Sequence, residues 1–461
     1  MELALLVIII SLVFTYTNGF HDTANAIATV VGTKVLTPRQ AIILAAVTNL
    51  FGAFFGLAVA KTISSGLVDA KFVSQSTLAC GLIAAIGWNL LTWYYGLPSS
   101  SSHALVGSLL GAALAGAVCM NAVHPLTDKD GKPVSVWSAI KWTETKDKKE
   151  KKLVPASREV MAALGERIKT NGTHTVTVGT NRIQVVAFSG RAAMVETAIK
   201  PNSDQSGLLP KVIIPMFTSP VMGFIGGLLV MAGLYFLLHR WRPLTVNRFF
   251  GKAQLFSSAY MGFGHGMNDA TKCMGIITLA LVAATTDGLF AHLPSWAHFL
   301  VTKEGSSPYA LTLGDHIMAC LPNFLQFGYM PNPADVKSQG IPNWVVILCA
   351  LTMAAGTAAG GWRIIKTMGH RMVKLQPVHG FAAETTAATV LAITGQLGMP
   401  VSTTHAISCS IMGVGAAKRF SALKLGVIER IVWAWVMTIP VTAGISFLLV
   451  WVLVKIGMVH L

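Results

Sequence analysis

Long apolar stretches separated by short polar breaks run the length of the chain: Leu3–Tyr16 continued by Ala24–Val31, then Ala41–Ala60, Leu78–Tyr95 and Ala104–Met120. The second half repeats the pattern with Val212–Leu238, Ala253–Ala284, Val345–Gly361, Phe381–Leu397, Ala406–Ala417 and Ile431–Val454. A membrane-spanning helix needs about 20 mostly apolar residues, and most of these stretches reach that with modest tilt. The pattern predicts an all-α integral membrane protein. Leu3–Tyr16 has the length of a signal-peptide core, but Met1-Glu2 is no basic leader and a polar string follows where a small-residue cleavage site belongs. It reads as a retained first helix. Two regions fall outside the pattern and read as extramembrane insertions. Residues 121–211 are polar, with strand-like alternation in Thr173–Val178 and Arg182–Phe188, and residues 285–343 are richer in Pro and Gly.

Composition agrees: 53% of residues are hydrophobic and 12% charged, against about 25% charged in a soluble domain. A net charge of +16 would suggest nucleic acid in a soluble chain; its placement here argues otherwise. Lys34 and Arg39, then Arg240, Arg242, Arg248 and Lys252, then Arg363, Lys366, Arg371 and Lys374, then Lys418, Arg419, Lys424 and Arg430 gather in short loops. The positive-inside rule makes those loops cytoplasmic. Threading the stretches through them puts both termini outside, with five crossings per half. Five is odd, so the second half enters from the opposite side. Residues 1–240 and 241–461 therefore read as two inverted-topology repeats, carrying the insertions 121–211 and 285–343. The lysine cluster Lys146, Lys148, Lys149, Lys151 and Lys152 reads as a solvated loop, since long loops escape the charge rule. Cys80, Cys119, Cys273, Cys320, Cys349 and Cys409 show no paired spacing, so neither disulfides nor a metal site is expected.

Two polar strings occur twice, in the same order. Asn18-Gly19-Phe20-His21-Asp22-Thr23-Ala24-Asn25 returns as Gly264-His265-Gly266-Met267-Asn268-Asp269-Ala270-Thr271-Lys272. Gly96-Leu97-Pro98-Ser99-Ser100-Ser101-Ser102-His103 returns as Gly398-Met399-Pro400-Val401-Ser402-Thr403-Thr404-His405. Aligning Gly19 on Gly266 sets Asp22 on Asp269; aligning Pro98 on Pro400 sets His103 on His405. Acids, amides and hydroxyls at membrane depth are expensive and mark a substrate or ion pathway. Their duplication marks a transporter built from repeats.

The first string predicts a helix broken at Asn18–Asn25, and likewise at Gly264–Lys272, with Gly19 permitting the break. Asp22 and Asn25 share a helix face, as do Asp269 and Lys272, which are expected to pair. A carboxylate beside an amide suits a small hard cation or a proton. Asp22, Asp269 and Asn268 are accordingly the coupling-ion candidates, while Asn25 and Lys272 are phosphate-type anion contacts. In the second string, Pro ends one helix and hydroxyls open the next, so Ser100, Ser101, Ser102, Ser402, Thr403 and Thr404 lie at helix N-termini that favour an anion. One such run is ordinary capping; two, each followed by histidine, form re-entrant hairpin tips around a tetrahedral oxyanion. His103 and His405 are proton-carrying candidates weighed against plain packing. Glu384, aligned with Leu82, is an unpaired acid and a further coupling candidate. Asn49 is a weaker candidate.

Gly19–Ala26, Gly266–Asp269 and Gly398–His405 closely resemble the repeat motifs of the inorganic phosphate transporter family, and the similarity reaches nearly every span, including Arg39-Gln40-Ala41 and Gly361-Trp362-Arg363, but not the insertions. The resemblance implies uptake of inorganic phosphate across the plasma (inner) membrane by cation symport, with no cofactor beyond the coupling proton or sodium. It also implies that arsenate follows phosphate, and leaves open neutral divalent metal–phosphate complexes as cargo. Asp22, Asn25, Asp269 and the hydroxyls of both Pro-led strings become phosphate and coupling-ion contacts. Asn49 stands where sodium-coupled relatives often carry glutamate. With Phe20-His21-Asp22-Thr23 and Lys272, this resembles the bacterial low-affinity, proton-coupled branch. A sodium-coupled symporter and a sulfate or other oxyanion permease of the same fold remain alternatives, and homo-oligomerisation stays open. An enzyme is not expected, because duplicated strings do not supply one asymmetric set of catalytic roles.

Overall fold

The computed structural model describes residues 2–55, 58–65, 67–69, 72–123, 125, 127, 135–169, 172–178, 181–188, 191–286, 288–291, 293–301 and 341–459. The first half builds α1 (Glu2–Gly32), α2 (Pro38–Gly52), α3 (Ala58–Ser65), α4 (Gln75–Tyr95) and α5 (Ser101–Val123), then the insertion, then α7 (Ile214–Leu238). The second builds α8 (Pro243–Thr286), α9 (Asn343–Ala359), α10 (Trp362–Lys366), α11 (Pro377–Gln396), α12 (Thr403–Lys418) and α13 (Leu425–Lys455). Among the described residues, α1, α4, α5, α8, α13 and the helix Leu209–Leu238 that contains α7 are long and apolar enough to cross a membrane. The pair α9 and α10, bent by 59°, makes a seventh. Ten crossings were expected. The stretch Ala41–Ala60 is divided between α2 and α3, and α12 is only 16 residues long.

Packing repeats between the halves. Helix α5 lies on α13 as α12 lies on α7, α1 on α9 as α8 on α2, and α4 on α1 as α11 on α8. Two apolar cores result. Helix α1 gives Ala4, Val7, Ile8 and Phe14 to the first and Ala24 to Val30 to the second. Helix α8 runs in the opposite sense, with Phe250 and Met261 in the second core and Ala270 to Ala284 in the first. The duplicated polar strings fall where both helices change cores.

The expected breaks at Asn18–Asn25 and Gly264–Lys272 are corrected by the structure: α1 and α8 run through them as continuous helices. The glycines serve close crossings instead. A Cβ on Gly19 would stand 2.6 Å from the Met353 carbonyl of α9, and one on Gly266 would stand 2.2 Å from the Asn49 carbonyl of α2. The discontinuities lie one helix further along, after Gly52, where residues 53–55 leave the helix, and at Gly360-Gly361, where the C-cap Gly360 has φ +71.

Both hairpin tips are turned by left-handed glycines, Gly96 with φ +64 and Gly398 with φ +65. Each tip's carbonyls are held from the opposite half. Thr367 donates to the Gly96 carbonyl at 2.9 Å and Arg363 to the Tyr94 carbonyl at 2.5 Å. Thr62 donates to the Gly398 carbonyl at 2.7 Å and Lys211 to the Leu397 carbonyl at 2.9 Å.

In the insertion, β1 (Glu144–Pro155), β2 (Gly172–Val178), β3 (Asn181–Phe188) and β4 (Arg191–Ser206) form an antiparallel sheet in the order β1-β4-β3-β2, with α6 (Arg158–Leu164) packed on β2. β2 and β3 coincide with the alternating stretches. Lys146, Lys148, Lys149, Lys151 and Lys152, expected in a solvated loop, lie on β1, an edge strand of this sheet. Residues 302–340 of the second insertion, with Cys320, lie outside the described residues.

Candidate anion and cation site

The hydroxyl runs after Pro98 and Pro400 open α5 and α12, so their side chains project from two helix N-termini toward the middles of α1 and α8. Ser100 and Ser402 are the caps: their hydroxyls accept from the main-chain N–H of His103 and His405, each at 3.1 Å. Capping uses these oxygens as acceptors and leaves each O–H as a donor. Ser101, Ser102, Thr403 and Thr404 do face the middles of α1 and α8, and they do so in matched pairs. Ser101 donates to Asp22, as Thr403 donates to Asp269 at 3.0 Å. Lys272 donates to Ser102, as Asn25 donates to Thr404 at 2.9 Å. Lys272 also donates to the Val401 carbonyl at 3.2 Å, and Asn25 to Thr403 at 3.1 Å.

The acids are all buried. Asp269 pairs with Lys272, as spacing predicted, and lies 3.0 Å from His265 Nε2. His265 Nδ1 is 3.1 Å from the Asn49 amide oxygen, and Asn49 in turn donates to Thr357 at 2.9 Å. Asp22 lies 2.7 Å from His21 Nδ1, whose Nε2 is 3.1 Å from the Thr92 hydroxyl. One ligand atom each from Asp22, His265 and Asp269 lie within 4.8 Å of one another. Sequence reading named no metal ligands; two carboxylates and an imidazole this close are a donor set fit for a divalent cation.

Four candidates lie elsewhere. Asn268 donates to the Gly264 and Leu391 carbonyls at 3.0 and 3.2 Å, so its amide ties α11 to α8. The rings of His103 and His405 meet edge-on at 4.7 Å, with Trp435 4.0 Å from His405. Glu384 accepts from Thr29 and Ser257, and from Gln254 at 3.2 Å, in a pocket of its own between α1, α8 and α11. The positions aligned with these residues are Leu82, Ile276, Ile10 and Val7, part of or packed on the first apolar core. The acid pocket thus has no counterpart.

Sequence reasoning passed over His21 and His265. Adjacency to Asp22 and the four-residue spacing to Asp269 were the available signals. Thr357, on α9, carried none.

Residues 18–149 and 160–446 match the phosphate transporter family. The chain belongs to that family. Curated relatives of this phosphate transporter family member include a "probable low-affinity inorganic phosphate transporter" of Bacillus subtilis, 31% identical over 446 residues, covering 96% of this chain and 95% of that one. A protein of the same name from Rhizobium meliloti is 33% identical over 442 residues, covering 96% and 93%. A solved structure described as the sodium-dependent phosphate transporter aligns with TM-score 0.57 over 99% of this chain and all of that one, at 20% identity. That likeness supports the fold.

Proposed function

We propose that this family member is a secondary transporter carrying inorganic phosphate across the plasma membrane by cation symport, with protons as the coupling ion. The observation that supports it is the convergence of duplicated groups on one buried point. Two helix N-termini, four neutral hydroxyls, two carboxylates, Asn25 and Lys272 meet where α1 and α8 change cores. Helix N-termini and hydroxyls suit a tetrahedral oxyanion, and buried carboxylates take up the cation that balances it. In this reading, Asp22 and Asp269 hold the coupling cation, Ser101, Ser102, Thr403 and Thr404 the phosphate, and Glu384 a proton in its separate pocket. Residues 1–240 and 241–461 act as inverted repeats. Alternating access then exposes a fixed site to each side in turn.

Asn49 and Lys272 favour protons over sodium, because an amide and an ammonium stand where further carboxylates and cations could sit. The test is phosphate flux in proteoliposomes under separately imposed pH and sodium gradients. We expect uptake without sodium that collapses with a protonophore; strict sodium dependence would reverse the coupling assignment. Competition by arsenate and not by sulfate is expected, and the opposite result would favour a sulfate permease. A second reading draws on the Asp22, His265 and Asp269 cluster: a divalent cation enters with the phosphate as a neutral complex. Uptake of labelled phosphate that stops on chelation of divalent metal would select it.

A further inference from the structure

We propose a narrowing of that assignment: the Lys272 ammonium is a tethered substitute for a coupling cation at Asp269, so that of the two matched acid positions only the one at Asp22, beside Asn25, takes up a mobile ion. This rests on the reading of the chain as a cation-coupled phosphate carrier.

Lys272 is among the largest fully buried side chains of the protein. Its ammonium touches the Asp269 carboxylate, the Ser102 hydroxyl and the Val401 main-chain carbonyl. Every partner is an oxygen, and they are the three kinds (carboxylate, hydroxyl and carbonyl) with which proteins coordinate hard cations. A buried lysine more often sends its charged end to the surface along an extended stem. This one ends inside.

The alignment carries that shell across to the other half as Asp22, Thr404 and Ser99, with Asn25 in the place of the lysine. There the Thr404 hydroxyl lies 3.5 Å from Asp22 Oδ1, and the Asn25 Nδ2 donates to Thr404 and Thr403. The other atom of the same amide, Asn25 Oδ1, is buried with no hydrogen-bond partner among the described residues. A buried carbonyl oxygen without a donor is costly, and a bound cation supplies what it lacks. One shell is thus occupied by the protein's own cation, whereas its mate presents a carboxylate, a hydroxyl and an unpartnered oxygen. The charges follow the same asymmetry: Asp269 has Lys272 as its ion-pair partner, while Asp22 is met by Ser101 and His21. A multiply charged oxyanion beside two carboxylates needs cations close by, since like charges a few ångströms apart repel strongly in a low dielectric. The chain has built one of them in.

The rival is that Lys272 serves only as a direct contact for phosphate. Purified wild type, Lys272→Asn, Lys272→Gln and Lys272→Arg are compared in proteoliposomes, with a pH gradient driving phosphate uptake in choline or sodium buffer. Melting is followed in detergent in the same two buffers. Wild type and K272R are expected to be indifferent to sodium. K272N and K272Q are expected to lose about a hundredfold of uptake in choline, the scale set by stranding one member of a buried ion pair. They should recover uptake in sodium, with a sodium-dependent rise in melting temperature that wild type lacks. Variants that purify as monodisperse protein only in sodium would give the same support. The proposal is overturned if K272N and K272Q show no gain from sodium in uptake, melting or yield, or if they transport like wild type in choline. If wild type itself takes up no phosphate in either buffer, the parent reading fails instead.

Discussion

Asp22 and Asp269 occupy aligned positions but do not have the same surroundings. Asp269 is held between Lys272 and His265, whereas Asp22 meets Ser101 and His21. Removing one charge of a buried ion pair strands the other, at a cost of about 3–5 kcal/mol. Asp269→Asn should therefore lower the melting temperature of the purified protein as well as abolish coupled uptake. Asp22→Asn should abolish uptake with a much smaller loss of stability, because among the described residues it forms no ion pair with a lysine. Combining Asp269→Asn with Lys272→Met should restore much of the lost stability while uptake stays absent. Near-normal uptake by either single variant would remove these acids from the mechanism. Asp22, Asp269 and the hydroxyl runs were legible in the sequence because each is duplicated and sits in an apolar surround, and Lys272 because it stands in the duplicated string where the first half has Asn25. The role of Ser100 and Ser402 as caps was legible only as an alternative, since a hydroxyl at a helix start serves equally as cap or ligand. The partners of Glu384 were not legible at all: Thr29, Gln254 and Ser257 come from two other helices, and nothing local links them.

At the scale of elements, the misread feature is informative. Gly19 and Gly266 suggested broken helices, because glycine is a weak helix former and polar residues surround it. In the folded protein those helices gain more from crossing α9 and α2 at backbone contact, and the chain stays helical throughout. Glycine in a membrane helix carries both meanings, and only the neighbouring helix distinguishes them. Gly266→Ala would push a methyl group to within 2.2 Å of the Asn49 carbonyl, and overpacking of this kind costs about 1–3 kcal/mol or more. It should reduce the yield of folded protein and lower its melting temperature, and displacement of Asn49 from His265 should lower uptake further. Gly233→Ala, where no described atom beyond the helix's own adjoining backbone lies within 4 Å of the added carbon, is the neutral control. Equal behaviour of the two variants would show that the crossing tolerates the extra atom.

At the scale of the whole molecule, each hairpin tip is fastened by the half to which it does not belong. Arg363 and Thr367 hold the first tip, Lys211 and Thr62 the second. If the tips move separately, loosening one set should act on one tip alone. Arg363→Ala combined with Thr367→Val should speed amide hydrogen exchange across residues 96–100 and leave 396–400 unchanged, and Thr62→Val should do the reverse. Acceleration at both tips from either variant would mean that they move as one body. The acid pocket adds a consequence of another kind. Two halves alike at every position would make the forms obtained by exchanging their roles equal in energy, and the molecule would rest in each for half the time. Glu384 sits among hydroxyls and an amide, where the aligned positions of the other half are Leu82, Val7, Ile10 and Ile276. Under the alternating access proposed above, that difference would lift the degeneracy and give the empty carrier a preferred resting posture.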